Sequence, residues 1–472
     1  MREKVILVFF AASLMLAALG CSNLPQRGSL KDRASGDGKR ASRHREALLE
    51  GVSSPALAGP AAQDPYDALR EEPPALGENP TLSDYLQAAA LNNAGLKAAF
   101  EQWKVAIEQV PQVGALPDPE FTYGYVIEEV ETMPGPRPQK LQLMQVFPWF
   151  GTIEARTDAA ASAAKAAKKR YEAAKLKLFF EVKEAFFEYV YLASAVEIAR
   201  ENLELAKHFE EVARAKYTAS AATHPDIILA QVELARMENE LKTLEELRTP
   251  ISARLAAILN RKDAGLLPWP QKADLRAVTL DHRKLTETLK SNNPELQAFD
   301  FDLEGAISRI ELAKKRFYPD VGVGVEWLTN AGMMDAELRD SQRDEVMLMF
   351  GLNLPIWRKS YKAGELEARA DRSRMLHEKE ETENTLVARA AQALYDFENS
   401  DRTLRLYRDV LVPKAQELLG ASETAYKAGT IDFLSLISAQ QKLLEFQLRY
   451  ERAAADNQQK LAELEMLVGS EL

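Results

Sequence analysis

The chain has 472 residues, 46% of them apolar and 28% charged, a folding composition long enough for two or three ordinary domains. A formal charge of −11 gives no reason to expect nucleic acid as a partner. The single cysteine, Cys21, excludes a disulfide framework within one chain and a zinc site built from cysteines.

Residues 1–20 read as an export signal. Arg2 and Lys4 give a charged start, Val5 to Leu19 an apolar run too short to span a bilayer comfortably, and Gly20 a small residue before Cys21. A lone cysteine directly after such a run resembles the lipobox of bacterial lipoproteins, in which the thiol is acylated and the cut falls just before it. Ala18 departs from the leucine which that pattern prefers, and the alternative is an ordinary signal peptide with an incidental cysteine. Ser22 resembles the sorting context of lipoproteins sent to the outer membrane. Residues 21–80 are rich in Pro, Gly, Ala, Ser and basic side chains, without a helical or strand period, and are predicted to form a flexible tether.

From residue 81 the chain is written twice. "NNAGLKA" at Asn92 matches "NNPELQA" at Asn292, and Pro119 matches Pro319, both at an offset of 200. Pro148 of "VFPWFG" matches Pro355 of "NLPIW" at 207, and Tyr217 and Gln231 match Tyr426 and Gln440 at 209. Preserved order with a small drift marks a duplicated module, and two copies are too few for a solenoid. The repeats are 81–261 and 291–470, joined by an inter-repeat linker at 262–290.

Each repeat reads helix, strand, strand, long helix, turn, helix. In the first, a helix over Leu91 to Ala115 precedes a hairpin over 119–148, a long helix over 151–218 and a helix over 226–261. Positions 182, 185, 189, 192, 196, 199, 203, 206, 210, 213 and 217 keep alternating three and four spacing, and only Glu210 among them is not apolar. Such a seam predicts supercoiled packing against other helices. In the second repeat the helix over 294–316 precedes a hairpin over 319–355, a long helix over 364–428 and a helix over 431–468. In both repeats the two shorter helices together nearly match the long one in length, so they are predicted to stack end to end beside it and build a hollow tube. The strands alternate: Val321, Val323, Val325 and Trp327 against Gly322, Gly324 and Glu326, and Phe121, Tyr123, Tyr125 and Ile127 along one face. Strands of about ten residues with one apolar face match outer-membrane barrel strands. Four of them cannot close a barrel and an open edge cannot sit in lipid, so the chain must associate around a shared barrel or keep its hairpins out of the membrane.

With "NPEL", "YPDV" and "YKAGTIDFLSLISAQ" in place, the duplicated module resembles the outer-membrane efflux proteins of the TolC type, and the lipobox-like start is similar to their lipoprotein branch serving drug and metal pumps. The resemblance covers about residues 80 to 470. It implies a mainly α protein with short β elements: a homotrimer whose twelve-stranded outer-membrane barrel continues into a periplasmic α-helical barrel. It also implies a periplasmic adaptor and an inner-membrane pump as partners, no cofactor beyond a covalent lipid on Cys21, and no catalytic residues. The function implied is a passive exit duct for small solutes, drugs or metal ions. The alternatives are a duct for polypeptides and a soluble periplasmic coiled-coil adaptor.

In that family the repeated turn is the far periplasmic end. Gly429 suits the tip turn of the second repeat, where the first offers Ser220. Asp226, Asp432, Ser435 and Ser438 are the candidates near the entrance, with helix capping or first-turn charge the competing role for the two acids. Pro148, Gly151 and Pro355 mark the change from strand to helix. The five histidines show no HxxxH or HExxH spacing. Met347 and Met349 are predicted to face the lumen rather than to hold a metal, and no nucleophile elbow or phosphate loop stands out.

Overall fold

The structure, a computed structural model, describes residues 76–125, 139–219, 223–262, 265–272, 275–276, 278–329 and 345–472. Cys21, the leader, most of the tether and Ser220 lie outside the described residues. The first repeat contains α1 (Leu82–Asn92), α2 (Ala94–Val113), β1 (Glu120–Tyr125), β2 (Gln139–Phe147), α3 (Thr152–Thr218) and α4 (His224–Ile258). The second contains α5 (His282–Asn292), α6 (Pro294–Lys315), β3 (Val321–Thr329), β4 (Glu345–Leu352), α7 (Arg358–Leu406), a π-helical turn (Tyr407–Leu411), α8 (Val412–Lys427) and α9 (Phe433–Val468).

The central strut is α3, 67 residues without a break and about 100 Å long at 1.5 Å per residue. It packs along α2, α4, α6 and α9, while α9 also packs along α7 and α8. The three-four seam is its buried stripe: Val182, Ala185, Tyr189, Leu192, Val196, Ala199, Leu203, Ala206 and Ala213 are all buried. Toward the tip the stripe rotates off the sequence pattern. Phe209 is buried instead of Glu210, which pairs with Arg214 at 2.5 Å, and Tyr217 is half-exposed.

One feature explains why both repeats carry paired asparagines. The helix expected over 91–115 breaks at Asn93, whose side-chain oxygen caps α2 through the Leu96 N–H at 2.9 Å. Its amide also donates to the Ile258 carbonyl at the end of α4, 2.9 Å away. In the second repeat Asn293 caps α6 through the Glu295 and Leu296 N–H groups at 2.9 and 3.2 Å and donates to the Leu467 carbonyl of α9 at 2.8 Å. The start of α2 is thus stitched to the end of α4 beside α3, and the start of α6 to the end of α9 beside α7. The exits of α4 and α9 are left-handed at Asn260 (φ 53°) and Gly469 (φ 85°).

The second long helix differs from its expected course. It begins at Arg358, because no breaker separates 358 from 364 and Gly364 is tolerated inside it, and it is interrupted by the π-helical turn at 407–411. Pro413 lies just beyond that turn and has no N–H to offer the Asp409 carbonyl, which favours the wider turn. Between the repeats the chain forms a strap across the helices. Trp269 stacks on Tyr189 at 5.0 Å with the Arg248 guanidinium 4.1 Å from its ring centre, and the Leu267 carbonyl accepts from the Tyr189 hydroxyl at 2.7 Å. Buried Glu465 then receives Lys183 at 2.5 Å from α3 and Arg276 at 2.8 Å from the strap. Among the described residues no helix is long and apolar enough to cross a membrane.

Candidate functional site

Two places could carry function, and they lie at opposite ends of α3. At one end the strands form a single antiparallel sheet in the order β1-β2-β3-β4, so the two hairpins are joined through β2 and β3. Register puts directly opposed residues on one face. Phe121, Leu143, Val325 and Leu348 form one row across all four strands, and Tyr123, Leu141, Trp327 and Val346 another. On the opposite face the rows are Thr122, Gln142, Glu326 and Met347, and Glu120, Met144, Gly324 and Met349. Apolar side chains on the first face stand exposed in this single chain, Phe121 at 65% and Phe350 at 70%. The second face holds an ion pair, Lys140 to Glu326 at 2.5 Å. Gly324 allows the close approach of β2, since a β-carbon there would sit 3.0 Å from the Leu143 carbonyl oxygen. Among the described residues, the outer edges of β1 and β4 have no strand beside them.

Three sequence candidates sit where the sheet becomes helix. Pro148 follows β2, Gly151 takes φ 78° immediately before α3, and Pro355 lies between β4 and α7. Sequence reasoning missed the groups that tie these turns together. Asp320 accepts from the Trp149 N–H at 2.9 Å, its own N–H donates to Asn353 Oδ1 at 2.5 Å, and Trp149 stacks on Tyr318 at 5.0 Å. The repeated proline, Pro119 and Pro319, was visible, but the partners of Asp320 lie about 33 and 171 residues away in the chain.

At the other end the α3–α4 and α8–α9 turns meet in one apolar cluster that includes Phe209, Ala230, Leu419, Tyr426, Phe433 and Leu436. The second turn closes as a Schellman motif: the Gly429 N–H donates to Tyr426 at 3.0 Å and the Thr430 N–H to Ala425 at 3.0 Å, with Gly429 at φ 76°. Asp226 closes a capping box, its carboxylate accepting from the Thr223 N–H at 2.8 Å and the Thr223 hydroxyl at 2.9 Å. Asp432 caps α9 through the Ser435 N–H at 2.9 Å, and its hydrogen bonds with Ser435 hold the carboxyl below the usual range. The exposed hydroxyl of Ser438 donates to the Leu434 carbonyl at 2.8 Å. Both acids are therefore engaged in helix capping.

Lys216, which sequence reasoning passed over, links the two turns. Its ammonium donates to the Tyr426 carbonyl and lies 4.3 Å from the centre of the Tyr426 ring. Burial, with Asp226 nearby, pushes the Tyr426 phenol up. Unlike its buried counterpart Tyr426, Tyr217 is 45% exposed, and Ile228, Val232 and Leu434 near the starts of α4 and α9 are also exposed apolar side chains. No group of three His, Cys, Asp or Glu able to hold a metal occurs among the described residues.

Comparison with known proteins places this geometry. The family model described as outer membrane efflux protein matches residues 85–261 and 285–470, the two repeats without the strap. Nodulation protein T of Rhizobium leguminosarum bv. trifolii is 23% identical over 423 residues, spanning 83% of this chain and 86% of the relative. The cobalt-zinc-cadmium resistance protein CzcC of Cupriavidus metallidurans is 23% identical over 398 residues, spanning 82% of this chain and 90% of the relative. Among solved structures, the outer membrane protein VceC of Vibrio cholerae superposes with a TM-score of 0.69 at 19% identity, over 83% of this chain and 96% of that one. With both repeats matched and the fold shared, the chain belongs to the outer membrane efflux protein family and is an outer-membrane channel reaching into the periplasm.

Proposed function

We propose that three copies of the chain join β4 of one to β1 of the next, closing a twelve-stranded barrel that continues into a hollow periplasmic helical tube. The assembly is a passive exit duct for small solutes, drugs or metal ions, in a system completed by a periplasmic adaptor and an inner-membrane pump. The observation that carries this reading is the sheet: one face apolar in every complete row, the other carrying every charged and amide side chain of those rows among methionine and glycine, and both edges open among the described residues. An open edge in lipid leaves backbone groups unpaired, and closure by other copies removes it. Lys140, Gln142, Glu326, Met347 and Met349 then line the lumen. At the far end the duct is shut where the two helical turns pack, with Asp226, Asp432, Ser435 and Ser438 around the entrance and Gly429 and Ser220 in the turns. It opens when these turns separate at the Lys216–Tyr426 contact. Cys21 carries the lipid, so palmitate labelling disappears in Cys21→Ser.

The test compares lysine on neighbouring residues of β4. Phe350→Lys puts a charge into lipid, at about 2–4 kcal/mol near the bilayer centre, and is expected to abolish the membrane-embedded trimer. Met349→Lys points the same charge into the water-filled lumen; it is expected to assemble and to shift ion selectivity in planar bilayers. The opposite pattern overturns the proposal.

A further inference from the structure

The sheet-to-helix junction of the second repeat carries cations that no acid among the described residues balances. Lys315 and Arg316 end α6, and Arg358 and Lys359 begin α7. A ring contact between Phe317 and Tyr361 at 5.9 Å holds the two segments together. A β-carbon on Gly364 would lie 3.9 Å from Arg316 Nη1, so this guanidinium reaches across to the first turns of α7. None of the four cations has an acidic partner among the described residues. The acids beside them are taken: Glu311 by Lys314 at 2.6 Å, and Glu365 by Lys362 at 2.9 Å and Arg369 at 2.6 Å.

Two further observations show that the charge is not part of the helix design. Arg358 and Lys359 stand in the first turn of α7, which has no acid and no side-chain cap, where a positive charge opposes the helix dipole. The corresponding stretch of the first repeat, Phe147 to Glu154, contains no basic residue and ends with an acid in the first turn of α3. Immediately before the cations runs an exposed apolar stretch, with Leu354 at 71%, Ile356 at 66% and Trp357 at 73%. Apolar side chains, then tryptophan, then Arg-Lys is the order in which a chain leaves hydrocarbon, crosses the interface and meets headgroups.

We propose that this junction is a binding site for an anionic phospholipid of the periplasmic leaflet, its phosphate held by Arg316, Arg358 and Lys359 and its acyl chains along Leu354, Ile356 and Trp357; Lys315 turns away from it, its ammonium lying against Gly151 at the start of α3. The proposal rests on the membrane-spanning sheet described above. The site is present once per chain, at the α6–α7 side only.

The test uses the purified full-length mature protein in detergent, with retained lipid read by native mass spectrometry. The probes are a phosphatidylglycerol and a phosphatidylcholine with the same acyl chains. Wild type is expected to retain phosphatidylglycerol preferentially. Removing a cation weakens attraction about fivefold, so R358Q/K359Q is expected to lose roughly 25-fold in phosphatidylglycerol affinity. The charge-preserving R358K/K359R is expected to keep it, and K414Q/K427Q at the far end to change nothing. Equal retention of the two lipids by wild type overturns the proposal, as does a double variant that keeps phosphatidylglycerol within twofold. Planar-bilayer conductance of the same samples separates this outcome from the duct reading, since a protein that conducts without lipid preference refutes the lipid site alone.

Discussion

The helix exit at Gly469 offers a sharp test of the stitched junction, because the tip glycine Gly429 serves as its control. Both residues hold left-handed backbone, at φ 85° and 76°. Alanine at either position meets the same intrinsic penalty, about 1–2 kcal/mol for a left-handed side-chain residue, less about 0.4–1 kcal/mol regained by restricting the unfolded chain. They differ in surroundings. Around Gly429 nothing lies within 4 Å of an added β-carbon, so Gly429→Ala is expected to cost only about 0.5–1 kcal/mol. At Gly469 the β-carbon would stand 2.7 Å from the Asn292 carbonyl oxygen, 3.1 Å from its carbon and 3.2 Å from Pro294 Cδ. Those atoms belong to the α5–α6 junction, which Asn293 ties to the end of α9, so none can move away alone. Overpacking of this kind adds about 1–3 kcal/mol, bringing Gly469→Ala to about 2–4 kcal/mol. The measurement is the unfolding midpoint of the detergent-solubilised protein for both variants under identical conditions. Equal losses at the two positions would refute the claim that α6 and α9 meet in backbone contact.

Three other outcomes follow from the same contacts. Asn293→Ala removes both a helix cap and a buried hydrogen bond to Leu467, and is expected to cost about 2 kcal/mol in the same melts; a neutral result contradicts the stitching role. Lys216→Met should weaken the contact between the two tip turns by about 1–2 kcal/mol and raise single-channel conductance or open time, so unchanged records would remove Lys216 from the closure. Asp432 has a carboxyl held below its ordinary value of 3.8, so its contribution is complete above that value and is lost as pH falls through the lower folded one. Protection of the amides at the start of α9, taken relative to their intrinsic exchange at each pH, should therefore fall in acid for the native chain. In Asp432→Asn, which caps without titrating, it should stay level over the same range.

Much of this architecture was legible because it is repeated and periodic. The three-four spacing from Val182 to Ala213 located the buried stripe of α3, and strict alternation in "VGVGVEWL" located a strand with two unlike faces. The paired asparagines were visible as a repeat, but their purpose was not, since a cap is local whereas the bond to Ile258 or Leu467 spans 165 or 174 residues. The same limit hid the β2–β3 pairing, the turns gathered by Asp320 and the bridge from Lys216 to Tyr426. The π-helical turn escaped for another reason: Pro413 announces a disturbance in the helix but not whether the chain kinks, breaks or widens there. At the tip, Asp226 and Asp432 looked alike in sequence as acids near a helix start. Geometry separates them into a third-position capping-box partner and an N-cap.

The asparagine stitches also set the order in which the chain can become a folded object. Each joins the opening of a repeat to its close, so the loop that must be drawn shut is nearly the repeat itself, and contacts this distant in sequence make assembly slow. A nascent chain carrying only the first half of a repeat lacks the mate for its α1–α2 or α5–α6 corner. Completion waits for the last helix, which leaves the polypeptide loose enough to be threaded outward before it locks.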